Sequence, residues 1–298
     1  MDLLKRTLLL IIIFISTFIF SQTKGKEHGV LGKGNPVEIS HRRNLDNSID
    51  FLYTKSEPGS YTVYYTFSNV RNTQFSDGVK KVIVKNNKGT LFKLRASNPK
   101  KKILYKSSYN IQKGIIDPKF NEDFVYLLPY AKETSIQLLN AKKVDSFDME
   151  LKDKTDKIAY KFQTKTPQVF ASRKGQVIEI SSALGKKTNV KIEHLDGTLA
   201  VYSGFDRSTI TIKEGQRVLP GKLLGELEKD NSDLFTLHFR VIYKTRVDNK
   251  SKTAYVSPKF STSEGIINLT KSKTYTSDYN EDILFEEFTR KEKKKYLK

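Results

Sequence analysis

The sequence predicts a mainly β protein: an N-terminal β-sandwich, then a second β-rich domain, and a short C-terminal helix. Short runs in which β-branched and aromatic residues alternate with polar ones recur along most of the 298 residues. Turn signals separate these runs, as in Glu57-Pro58-Gly59-Ser60 and Asn87-Lys88-Gly89. A convincing helical pattern occurs only in residues 281–298.

The first residues predict an export signal. Lys5 and Arg6 precede an apolar run over residues 7–20, and Ser21-Gln22 is a suitable cleavage point. The run is shorter than the ~20 residues that cross a bilayer, so we expect residues 1–21 to be removed, with a retained anchor as the alternative. The mature protein is then expected in the periplasm, or secreted to the cell surface. Since the chain has no cysteine, packed cores must stabilise it instead of disulfides.

The predicted domains follow from where the alternating pattern starts and breaks. A Gly- and Lys-rich leader precedes the first strand, and Pro99 with the lysines after it interrupts the first group of strands. The predicted parts are a leader over 22–36, a β-sandwich over 37–118, a second β-rich domain over 119–250 and a C-terminal extension with a basic helix over 251–298.

An aromatic stripe marks the predicted sandwich. Tyr61, Tyr64, Tyr65 and Phe67 alternate or abut in the run SYTVYYTFSNV. Such a stripe predicts core packing, and a platform for stacking carbohydrate is the alternative.

The strongly basic composition favours an anionic partner. The formal net charge is +20, which favours contact with polyanions, although a solubilising surface is the alternative. For an exported protein these polyanions are anionic envelope polymers or peptidoglycan. We expect no nucleic-acid partner, because the sequence has neither an RNP-like aromatic pattern nor helix-turn-helix spacing.

Four segments of the second domain resemble a known family. They are VFASRKGQV, VKIEHLDGTLAVYSGF, VLPGKLLGEL and TLHFRV. In this order and spacing they resemble the LytM/lysostaphin-type metallopeptidase domain, over about residues 120–245. The flanking YLLPY, VSPKFSTSEGI and RNLDNSIDFLYTKSEPGSYTVYYTFSNV resemble exported proteins of Bacteroidota. The resemblance implies a duplicated-hybrid-motif fold and a family that uses zinc to cut peptide cross-links of peptidoglycan.

The resemblance also implies that most of the family's active site is missing. The family's late His-x-His motif reads Thr236-Leu237-His238 here, so His238 keeps a zinc-ligand position while Thr236 replaces a catalytic histidine. The catalytic Tyr-x-His run begins at Tyr202 but lacks its histidine. Arg240 stands where active members often have Glu, and the position of the Asp ligand falls near Tyr160 or Lys161.

The histidine inventory agrees with this interpretation. A catalytic zinc takes three protein ligands, and the whole chain has four histidines. His41 with Asp46 or Asp50 resembles a His…Asp motif superficially, but it fits the N-terminal sandwich better. His194 precedes a hairpin-turn signal, Asp196-Gly197, and is expected to be structural. We therefore expect no catalytic residue, no bound metal and no cofactor.

These expectations give one leading function and two alternatives. Non-catalytic relatives of this domain bind and activate cell-wall amidases, so the resemblance implies an inactive exported module that binds peptidoglycan or a cell-wall hydrolase. Its expected groove residues are Thr236, His238, Tyr202, Arg240 and Lys161, the two cations being available for carboxylates of peptide stems. The alternatives are an active zinc endopeptidase, with zinc as its cofactor, and a structural or adhesive envelope protein.

Overall fold

The computed structural model describes residues 35–143, 158–182, 187–230, 233–248, 250–270 and 272–297. The predicted signal peptide and nearly all of the predicted leader lie outside these ranges. Within them, no helix combines the length and the apolar character needed to cross a membrane. The described residues form one compact unit, and the domain limits at 118 and 250 stay predictions.

Two small antiparallel sheets form the N-terminal sandwich, as the alternating runs predict. One sheet has the order β1-β2-β5 and the other β4-β3-β6. The six strands are β1 Val37–Arg43, β2 Ile49–Lys55, β3 Tyr61–Arg71, β4 Gly78–Val84, β5 Lys88–Leu94 and β6 Leu104–Lys113.

The aromatic stripe of β3 packs inside this sandwich. Tyr61, Tyr65 and Phe67 are at most 2% exposed, and their neighbours in the core include Phe51, whose ring meets both Tyr65 and Phe67 edge-on at 5.4 Å. Edge-to-face aromatic contacts of this kind add to the stability that burial gives. The stripe is therefore a core, and the alternative of an exposed stacking platform is wrong for these three residues.

The rest of the chain is also built from strands, and they surround a second core. The strands are β7 Val125–Leu127, β8 Ser135–Lys143, β9 Ile158–Thr164, β10 Gln168–Phe170, β11 Gly175–Ser181, β12 Thr188–Glu193, β13 Leu199–Phe205, β14 Arg217–Val218, β15 Leu223–Glu226, β16 Phe235–Val247, β17 Lys250–Val256, β18 Lys259–Thr262, β19 Gly265–Asn268 and β20 Thr274–Thr276. The mainly β fold class predicted from the sequence is confirmed.

One large sheet positions the candidate site. Its order is β14-β11-β12-β13-β16-β9-β8-β20, and β17 pairs with the second half of β16. Side chains alternate between the two faces of a strand. In β16, Leu237, Phe239 and Val241 are fully buried in the core, so Thr236, His238 and Arg240 lie on the opposite face.

Two smaller sheets cover the core side of this region. Strands β10 and β15 pair antiparallel, and β18 pairs with β19 antiparallel and with β7 in parallel. The ring of Phe260 on β18 meets that of Tyr160 on β9 edge-on at 5.3 Å. The large sheet therefore buries one face and leaves the other for contacts outside this core.

Gly204 in β13 has a backbone conformation that other residues cannot adopt without strain. Its φ is +128°, and a Cβ there would lie 2.6 Å from the carbonyl oxygen of Thr236 on the neighbouring strand. We expect Gly204→Ala to lower the free energy of unfolding by about 1–3 kcal/mol, measured by urea denaturation. Gly78→Ala is the matched control, because Gly78 has a similar φ of +125° but open space around it. Equal losses in the two variants would contradict the role of the close backbone approach.

The predicted C-terminal helix is present but is divided into two. The helices are α1 Glu281–Phe285 and α2 Arg290–Tyr296. Thr289 begins α2 with a capping box, in which its side chain accepts the N–H of Glu292 and the Glu292 side chain accepts that of Thr289. A single helix over 281–298 is therefore wrong in detail, because residue 289 takes an extended, non-helical backbone to form the cap.

A cluster of buried ion pairs, hereafter the C-terminal lock, attaches these helices to the β-rich region that follows the sandwich. The Arg173 side chain is 5% exposed and donates to Asp196 at 2.7 Å and to Glu287 at 2.8 and 3.1 Å. Lys174 Nζ donates to the backbone oxygen of Glu287 at 2.8 Å and to Glu292 at 2.7 Å. The C-terminal segment is thereby part of the folded structure instead of a loose basic tail.

The sandwich contacts one end of the large sheet. The backbone N–H of Ser60 donates to the buried Glu193 carboxylate at 2.7 Å, and a Cβ on Gly59 would lie 2.9 Å from Ile178. Ile178 clusters with Val201 and other apolar side chains, and Val201 is the strand partner of Arg240. The turn that contains Gly59 and Ser60 thus packs near the apolar end of the large sheet's face that also carries His238.

Candidate functional site

The candidate site lies on the face of the large sheet that points away from the core. His238 lies in the first half of β16, and its strand partners are Lys161 on β9 and Ser203 on β13. Asn189 on β12 is the next residue across the sheet from Ser203. Directly opposed residues on neighbouring antiparallel strands have Cβ atoms about 5 Å apart and share a face. His238 and Lys161 are both exposed, so the sheet brings together two of the predicted site residues.

Positive charge dominates the surroundings of His238. Desolvation by the surrounding protein lowers the pKa of His238 below its usual value, and the charges of Lys161, Lys187 and Arg240 lower it further. Each of these effects disfavours the imidazolium. His238 is therefore a neutral imidazole at pH 7, with one ring nitrogen able to donate and the other able to accept.

Thr236 lies on the same face but has its hydroxyl engaged. The side chain is 8% exposed, and Oγ1 donates to Asp230 Oδ2 at 3.0 Å. Gln163, the strand partner of Thr236, donates to the same oxygen at 3.4 Å. The hydrogen bond to Asp230 thus fixes the Thr236 side chain at the edge of the site. Little of the surface of Thr236 is exposed there.

Tyr202 does not lie in the groove, and its predicted place there is wrong. Its strand partner is Phe239, so it shares the core face, where the two rings lie 5.0 Å apart. Its hydroxyl accepts the N–H of Ser172 at 2.9 Å, and burial raises the pKa of Tyr202 to about 12. The side chain is fully buried and cannot contact a ligand on the opposite face.

Ser203 and Lys187 belong to the site but were missed from the sequence. Ser203 is adjacent to Tyr202, and because side chains alternate it occupies the face that Tyr202 does not. The alternation of β13 against β16 could have identified it. Lys187 precedes β12 and reaches the backbone oxygen of Glu228 at 3.3 Å, and no local pattern in the sequence relates it to His238.

The described residues do not fit a catalytic zinc. A zinc site needs three protein ligands and an open position, but the strand partners of His238 are a lysine and a serine. Among the described residues, no group of three or more His, Cys, Asp or Glu side chains is close enough to hold a metal. An ammonium group next to the one retained imidazole further opposes a second cation.

The other two histidines of the described chain have structural partners. His41 Nε2 lies 2.9 Å from the Tyr65 hydroxyl inside the sandwich, and Asp50 is paired there with Arg42 at 2.9 Å. His194 is fully enclosed, and its Nδ1 lies 2.9 Å from the backbone oxygen of Lys174. Burial lowers the pKa of His194 to about 4. Neither histidine lies on strand β16 or on the strands that pair with it.

Comparisons with solved structures give distant likenesses. Helicobacter pylori Csd3 is 12% identical, with a TM-score of 0.31 over 84% of this chain and 76% of that one. A zinc containing peptidase from Vibrio cholerae is 12% identical, with a TM-score of 0.27 over 69% and 77%. A chain of the SpoIIQ-SpoIIIAH pore forming complex is 17% identical, with a TM-score of 0.30 over 45% and 89%. No curated protein matches the chain.

The family comparison addresses the region that carries the site. The model of peptidase family M23 matches residues 154–251, which include β9, β13 and β16 with Lys161, Ser203 and His238. The resemblance expected from the four sequence segments is confirmed at this level. Residues 154–251 are therefore a peptidase M23 domain of the LytM type.

Proposed function

We propose that this protein is an exported, catalytically inactive LytM-like module that binds peptidoglycan or a cell-wall hydrolase. The observation that carries the proposal is the pairing of Lys161 with His238 across β9 and β16. In the described residues of this M23 domain, a lysine faces the one retained ligand position, and no donor set of the kind that zinc hydrolysis needs is gathered around it. What remains is a strand-lined face with exposed polar side chains, and a fold of this kind can bind without catalysing.

The binding surface in this proposal is the face around His238. Of the expected groove residues it contains Thr236, His238, Arg240 and Lys161, while Tyr202 supports the core beneath it. Export to the periplasm or cell surface is part of the same proposal and rests on the basic start and apolar run of residues 5–20.

The test is a zinc measurement combined with a wall-binding assay on the mature chain, purified without a His tag and without chelator. We expect zinc well below one per chain by elemental analysis. We also expect the protein to pellet with purified sacculi, equally with and without EDTA, and to release no peptide fragments from them. One zinc per chain together with EDTA-sensitive release of fragments would overturn the proposal.

The competing function is an active zinc endopeptidase, which the family match favours. It requires His238 as a metal ligand. His238→Ala would then abolish wall-lytic activity, whereas our proposal predicts at most a modest change in sacculus binding. A gain of zinc binding by Lys161→Asp, without zinc in the parent chain, would support our assignment of Lys161 as the residue that opposes the metal.

A further inference from the structure

Protein cations surround the position at which the family carries its metal. Lys161 is opposite His238 on β9, and Arg240 follows His238 on the same face of β16. Lys187 immediately precedes β12, and two residues later Asn189 is opposite Ser203 on this face. We call Lys161, Lys187 and Arg240 the cation cluster.

No carboxylate of the described residues forms an ion pair with the cation cluster. Neither Lys161 nor Arg240 forms an ion pair within the part of the chain that the structure describes. Other cations of this region have counter-charges: Lys191 Nζ on β12 lies 2.9 Å from the Glu179 carboxylate, and Arg173, in the loop before β11, is held by two carboxylates. Within the described residues, the lack of counter-charge is therefore a local property of this site.

Such a cluster favours an anion from outside. Arg240 is half-buried, and a partly desolvated cation without a counter-charge is costly unless an anion pairs with it. The guanidinium group can form two parallel hydrogen bonds with a carboxylate. The Ser203 hydroxyl and the His238 imidazole, on the same face, can add hydrogen bonds to such a group.

We propose that the cation cluster, with Ser203 and His238, forms a carboxylate-binding site at the position of the family's metal. The inference rests on the proposed function, which supplies the ligand: a free carboxylate of a peptidoglycan stem peptide. In this arrangement the charge that would have come from the metal comes from side chains, and the peptide is held instead of cut.

The probe is an acetylated stem pentapeptide with free carboxylates, compared with the same peptide in which every carboxylate is an amide. Calorimetric titration of the mature chain should give a dissociation constant about tenfold lower for the acid than for the amide, because hydrogen bonds to a charged group are stronger than those to a neutral one. Lys161→Met and Arg240→Met should each remove this preference. Lys213→Met, a change at an exposed lysine of the same domain, should keep it, and Lys161→Arg should restore it.

The outcomes separate this inference from the function on which it rests. Equal affinity for acid and amide, with sacculus binding intact, would overturn the carboxylate site and leave the proposed function standing. Failure of both the acid peptide and sacculi to bind would overturn the carboxylate site and the peptidoglycan-binding form of the proposed function. Tighter binding of a glutamate-rich peptide than of the stem peptide would overturn the peptidoglycan source, because it would point to an acidic protein partner. Circular dichroism of the two methionine variants should match the parent chain, since Lys161 is exposed and the Arg240 side chain forms no hydrogen bond with another described residue.

Discussion

Arg173→Met is expected to lower the free energy of unfolding by about 3–5 kcal/mol, the usual cost of breaking a buried ion pair from one side. The change leaves the carboxylates of Asp196 and Glu287 mostly buried, each 14% exposed, without their counter-charge. It also removes a guanidinium that lies 3.6 Å from the centre of the Phe124 ring. Urea denaturation followed by circular dichroism would measure the loss.

An exposed ion pair provides the control for Arg173. Lys273 lies 2.6 Å from Glu264, but both side chains are nearly half exposed, so Lys273→Met should change the free energy of unfolding far less than Arg173→Met. The triple variant Arg173→Met, Asp196→Asn, Glu287→Gln should recover part of the loss, because it removes the stranded charges. If Arg173→Met cost no more than Lys273→Met, the C-terminal lock would not contribute as described.

Acid is expected to destabilise the protein through His194. Burial, followed by the positive charge of Arg173, lowers the pKa of His194 to about 4, against a hydrogen bond to Lys174 and the charge of Asp196 that raise it. In the unfolded chain the same histidine takes up a proton near pH 6.5. Its contribution to stability is therefore complete above pH 6.5 and is lost as the pH falls from there towards 4. Between pH 7 and pH 5 this one group should lower the free energy of unfolding by about 2 kcal/mol.

His194→Asn isolates this effect. Asparagine can place an N–H donor near the Lys174 oxygen that accepts from His194, but it does not titrate. The variant should be less stable than the parent chain at pH 7, because it fills less of the core, and should lose less stability between pH 7 and pH 5. Parallel pH profiles for the two proteins would show that the titration of His194 is not responsible.

Most of the fold could be predicted from the sequence because alternation reports a strand with one buried face. The runs around Tyr61–Phe67 and Thr236–Val241 both alternate and both form strands. The break between the C-terminal helices was missed, although Thr289 and Glu292 stand at the capping-box spacing that marks a helix start. The apolar pattern of residues 283–288 favours one continuous helix, which conflicts with the helix start that the capping box marks.

The candidate site was only partly predictable because it depends on strand register. The expected groove held His238, Lys161 and Arg240, which do share one face. Tyr202 was expected in the groove because it matches the tyrosine of the family's Tyr-x-His motif. Its register against Phe239, however, places it on the other face. Such a register follows from pairing between distant strands, which no local pattern specifies.

The C-terminal lock also has a consequence for the order of folding. Glu287 follows Arg173 by 114 residues, and a chain made from its N-terminus exposes the arginine long before its carboxylate exists. Closing so long a loop is slow relative to forming neighbouring strand pairs. We therefore expect the M23 domain to reach its final stability only after α1 and α2 have emerged, so that a nascent chain stays less stable until these two helices can pack.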